Sequence, residues 1–87
     1  MCELHFPTKD RIASYFASDP EIRDIDKAIV ECVSSLFAGG VIKEADVNFE
    51  VYKTMRSMPA LRLPDKEMRL MIFNVSNALI SCARVGR

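Results

Sequence analysis

The chain has 87 residues, room for a single domain, and a domain this short buries only about two-thirds of the surface its unfolded form exposes. Apolar residues make up 49% of it, which argues against intrinsic disorder and is more than a small monomer easily hides, so an oligomer is expected. Twelve basic residues balance twelve acidic ones, and a net charge of zero argues against strong non-specific binding to nucleic acid, which depends on neutralising phosphates.

The charge is unevenly spread. Residues 1–50 carry five basic and ten acidic side chains, and residues 51–87 carry seven basic and two acidic. The halves therefore stand at −5 and +5, which suits attraction within or between subunits or a basic surface for an acidic partner. The three cysteines, Cys2, Cys32 and Cys82, show no CxxC or Cys/His spacing, and an odd count closes no disulfide framework. Cys32 and Cys82 are expected as buried thiols on apolar faces. No apolar run reaches membrane-spanning length and no signal-peptide core opens the chain, so a cytoplasmic protein with no membrane contact is expected.

Residues 1–7, MCELHFP, show no useful period and are expected to be disordered, with residues 8–87 forming one helical domain. His5 stands alone and makes a poor ligand or base. Thr8 suits the cap of a short helix to about Ala17, whose Ile12, Tyr15 and Phe16 would dock on the main bundle. Ser18-Asp19-Pro20 breaks the chain, because the residue before proline avoids helical geometry. Asp19 and Pro20 then read as the cap and first position of the central helix, with Glu21, Asp24 and Asp26 near its positive end. Ile22, Ile25, Ile29, Cys32 and Leu36 recur at steps of three and four, an apolar seam widened by Val33 and Phe37. Gly39-Gly40 stops that helix and Val41-Ile42-Lys43 makes a turn.

A second long helix is predicted from about Glu44 to Ser57, striped by Val47, Val51, Met55 and Met58, with Phe49 and Tyr52 beside the stripe. Pro59 and Pro64 bracket a loop. Asp65 suits the cap of a third helix from about Lys66 to Ala83, striped by Met68, Met71, Ile72, Val75, Leu79 and Cys82. Leu70, Phe73 and Ile80 fall off that stripe, which suggests burial on a second side by another subunit. The fold class is all-α: a short N-terminal helix plus three longer ones, as a small bundle forming an intertwined or side-by-side homodimer. The residues expected at the subunit contact are Ile25, Ile29, Val33, Leu36, Met71, Val75 and Leu79, in an interface on the order of 1,600 Å²; the alternative, which sequence does not separate from it, is that they are intramolecular core.

No motif for catalysis, nucleotide, metal or cofactor binding is present, and a non-enzymatic protein without cofactor or small-molecule substrate is expected. Lys53, Arg56, Arg62, Lys66 and Arg69 cluster around the second interhelical loop. They suit an acidic protein partner or, less well, DNA, because the proline-containing turn is long for a helix-turn-helix.

With the helices in place, the chain resembles the small enterobacterial biofilm-development and acid-resistance regulators of the AriR (YmgB) and YcgZ type, the two-component-system connector proteins. The likeness lies in RIASYFAS (Arg11–Ser18), DKAIVECVSSLFAGG (Asp26–Gly40) and NFEVYKTMRS (Asn48–Ser57) and continues into the last helix. The Pro59–Pro64 loop and the basic tail depart from the family's pattern. The resemblance implies an all-α protein that pairs with itself and tunes biofilm formation and acid survival by contact with a sensor kinase or response regulator of an Rcs-type phosphorelay. It also implies an alternative, a DNA-associated modulator similar to Hha-type proteins. No catalytic residue comes with it.

Overall fold

A computed structural model describes residues 3–20, 22, 27–58 and 64–85. The elements in order are β1 (Glu3–His5), α1 (Lys9–Ser18), α2 (Lys27–Phe37), β2 (Val41–Lys43), α3 (Glu44–Arg56) and α4 (Asp65–Val85). The fold is mostly helical, as expected, with a two-stranded antiparallel sheet added to it.

That sheet corrects the reading of the N-terminus as disordered and of residues 41–43 as a turn. Glu3, Leu4 and His5 pair with Lys43, Ile42 and Val41. The segment Glu3-Leu4-His5-Phe6 alternates exposed and buried, which is the period of a half-buried strand. The Phe6 N–H donates to the Gly40 carbonyl at 2.9 Å, and the Gly39 N–H donates to the Pro7 carbonyl at 3.0 Å. Gly39 adopts φ +68°, the left-handed turn that ends α2 and that glycine takes at least cost. The turn thus turns its backbone groups toward the N-terminal segment. Phe6 is buried with its ring 5.1 Å from that of Phe37, edge on.

Thr8 caps α1, its hydroxyl oxygen accepting from the Arg11 N–H at 3.4 Å. Ile12 and Phe16, one turn apart, are buried in the core, so this helix packs rather than wanders. The central helix starts later than expected. Asp19 is extended and closes α1, its N–H reaching the Tyr15 carbonyl at 3.2 Å. Pro20 and Ile22 lie in turns, with Ile22 buried and its N–H bound to the Asp19 carbonyl at 3.2 Å. The expected acidic residues Glu21, Asp24 and Asp26 fall outside the described residues.

The buried face of α2 is also rotated from the expected seam. Ile29, Val33 and Phe37, spaced by four, are fully buried, whereas Cys32 and Leu36 are exposed. The large Phe37 ring packs against Phe6 in this rotation, and Ser34 is buried. Its buried hydroxyl donates to the Val30 carbonyl at 2.6 Å, which satisfies it locally. Lys9 of α1 pairs with Glu31 of α2 at the surface.

The last two helices follow the sequence closely. On α3, Val47, Val51 and Met55 are buried, together with Thr54. On α4, Met68, Ile72, Val75, Leu79 and Cys82 form a buried stripe, and Met71 is half-buried. Asp65 lies inside the first turn of α4, and the Pro64 carbonyl accepts from the Met68 N–H at 2.9 Å. Glu44 pairs with Arg84, and Asn48 reaches Ser76 at 3.4 Å. Contacts that descend α3 while climbing α4 make the two helices antiparallel. The Cα radius of gyration is 11.9 Å, against about 12 Å expected for a compact domain of this length.

One large substitution separates a structural N-terminus from a disordered one. Phe6→Ala is expected to lower unfolding stability by about 3 kcal/mol, because it removes a buried ring packed on Phe37. Urea denaturation followed by circular dichroism measures it, and an unchanged midpoint would show that the N-terminal segment contributes nothing.

Candidate protein-interaction face

Of the residues expected at a subunit contact, Ile29, Val33, Val75 and Leu79 are fully buried inside one chain. They form core within one chain, the alternative that the sequence leaves open beside a subunit contact. Met71 is half-buried, Leu36 is 52% exposed, and Ile25 falls outside the described residues.

The apolar surface that remains is elsewhere. Phe49 and Tyr52 on α3 are 58% and 44% exposed, and Leu70 and Phe73 on α4 are 61% and 58% exposed. Each pair is three residues apart, so each occupies one side of its helix. Because Ile72 points into the core, Phe73, one residue on and about 100° round the helix, points outward. Tyr52, Arg56, Asp65 and Arg69 rim a cleft of ≈ 230 Å³ whose floor is Met68 and Ile72. This cleft joins the outer flank of α3 to that of α4. The sequence carried the signal for this face, since Leu70 and Phe73 fall off the α4 stripe and Phe49 and Tyr52 lie beside the α3 stripe. One chain alone leaves Leu70 and Phe73 bare, as residues reserved for a second molecule would be.

Cations flank the apolar groups. The Lys53 ammonium stands 5.0 Å from the Phe49 ring centre and 3.2 Å from Glu50, and the Arg56 guanidinium stands 5.8 Å from the Tyr52 ring centre. Arg69 borders the cleft, and Lys66 precedes it by one turn on α4. Among the described residues, Arg56, Lys66 and Arg69 make no ion pair. Two of the five expected contact cations, Arg56 and Arg69, therefore line the cleft, with Lys53 beside Phe49 on α3 and Lys66 one turn away on α4, and Arg62 falls outside the described residues. The antiparallel α3–α4 pair differs from a helix-turn-helix, whose helices cross at roughly 90–120°.

The other expected chemistry is dispersed. His5 is exposed on β1. Cys32 is exposed, contrary to expectation, and Cys82 is buried. Among the described residues no three His, Cys, Asp or Glu side chains are placed to hold a metal ion, and no helix is long and apolar enough to cross a membrane. Burial pushes the Cys82 thiol above its ordinary value of 9.0, and the Arg11 guanidinium pulls it partly back.

No family model, curated protein or solved structure matches the chain.

Exposure divides neighbours sharply on α4. Ile72→Ala is expected to cost about 2–4 kcal/mol and Phe73→Ser no more than about 0.5 kcal/mol in urea denaturation. Equal losses would mean that Phe73 is core. Alkylation by iodoacetamide is expected to label Cys32 in the folded protein and to spare Cys82 until unfolding. Because the folded Cys82 thiol holds its proton more tightly than the unfolded one, its stabilisation is full below pH 9.0 and is lost as pH rises through the higher folded value. Cys82→Ala should remove that alkaline loss.

Proposed function

We propose that this chain is a small non-enzymatic regulatory connector that works by protein–protein contact through the outer edge of α3 and α4. The observation that carries the proposal is the set of Phe49, Tyr52, Leu70 and Phe73, each 44% exposed or more on two adjoining helices. A compact chain gains nothing from four bare apolar groups at one edge, whereas grouped apolar surface within a polar rim is what interaction sites present. The core is already closed within one chain, so the edge is surplus to folding.

The resemblance to the AriR (YmgB) and YcgZ regulators extends the proposal to modulation of an Rcs-type phosphorelay governing biofilm formation and acid-stress response. A kinase or response-regulator domain would be the partner. The runner-up is a DNA-associated modulator, favoured by the same grouping of Lys53, Arg56, Lys66 and Arg69 and disfavoured by zero net charge and by the antiparallel helix pair.

An affinity pull-down from native lysate compares the wild type with Phe49→Ser/Phe73→Ser. The double variant is expected to fold with near-wild-type stability and to lose a kinase or response regulator that the wild type retains. Equal retention by both proteins would remove the α3–α4 edge from the function. Loss of nucleic acid alone, with slopes steep in salt, would favour the runner-up.

A further inference from the structure

Resting on that reading, we infer that the occupant of the α3–α4 edge is an acidic amphipathic helix of a partner protein. The apolar residues and the charges constrain it together. Phe49, Tyr52, Leu70 and Phe73 are exposed apolar groups of two antiparallel helices, Val85 at the far end of α4 being another, and the furrow between such helices accepts a third helix lying along it. The ≈ 230 Å³ cleft floored by Met68 and Ile72 takes one apolar anchor side chain. Arg56 and Arg69 at its rim, with Lys66 beyond, have no acidic partner among the described residues. They take carboxylates on either side of the anchor. Asp65 is the acid that shares the cleft, and Glu50 is held by Lys53 at 3.2 Å, so the edge keeps a cationic excess.

A second copy fits this edge poorly. A two-fold contact presents the same patch to itself, which gathers Arg56, Lys66 and Arg69 of both copies in one interface. Nucleic acid fits poorly as well. Its bases stack on open aromatic faces, but Lys53 and Arg56 stand over the Phe49 and Tyr52 rings, and Leu70 offers no ring.

The test places the photo-crosslinking residue p-benzoylphenylalanine at position 73 of the full chain in cells that make it, and maps the adduct by mass spectrometry. The expected adduct is on a foreign, net-acidic segment whose apolar residues recur at three- and four-residue steps. Arg56→Glu/Arg69→Glu is expected to reduce it about tenfold and Arg56→Lys/Arg69→Lys to retain most of it, as complementary rim charges require. A foreign adduct on a neutral or basic segment would overturn the acidic-helix inference while leaving the connector reading standing. An adduct to this chain itself, or to nucleic acid, would overturn the inference by naming another occupant. No adduct at all would remove both, provided that circular dichroism shows the substituted chain folded.

Discussion

Burial of one stripe along α4 is the constraint on which the rest depends. Met68, Ile72, Val75, Leu79 and Cys82 occupy a single side of a 21-residue helix, and α1, α3 and β1 all pack against that helix. A helix has only one side to give to a core. Once the stripe is buried, Leu70 and Phe73 are carried to the outside by the geometry of the helix itself. The core and the exposed edge are therefore two consequences of the same packing.

The N-terminal segment completes this core where the helices leave it open. Leu4 and Phe6 are buried, and their backbone hangs on β2 and on the glycine turn. The turn has a double role: the left-handed Gly39 ends α2 and orients the neighbouring backbone to receive residues 6 and 7. A three-residue strand pair is marginal alone. Here it holds because two apolar side chains on one face are driven inward at the same time.

The edge of α3 and α4 joins an apolar surface to a cationic rim, and in the proposed role that combination selects partners by more than greasiness. Desolvation of the four apolar groups supplies attraction, while unpaired arginine and lysine side chains reject like charge and favour carboxylates. The surface ion pairs elsewhere, such as Lys9 with Glu31, contribute little to stability. In the proposed role, charge does more to choose what the molecule touches than to hold it together.

The helices and much of the core were legible in the residues themselves. Thr8, the double glycine and the repeats of α3 and α4 are local signals, and a helix that is long and periodic is fixed largely by its own side chains. What the tertiary structure alone decided is which of two competing apolar stripes on α2 faces inward. Ile29 lies on both, and only the pairing of Phe37 with Phe6 selects the Val33 stripe over Cys32 and Leu36. The strand at residues 3–5 has the same origin, since its partner lies some forty residues away in sequence and its own alternation is too short to stand out. The division between core and exposed surface for Val75, Leu79, Leu70 and Phe73 also belongs to the tertiary structure. Hydrophobicity marks a residue as wanting cover, and only the arrangement of its neighbours determines whether the same chain provides it.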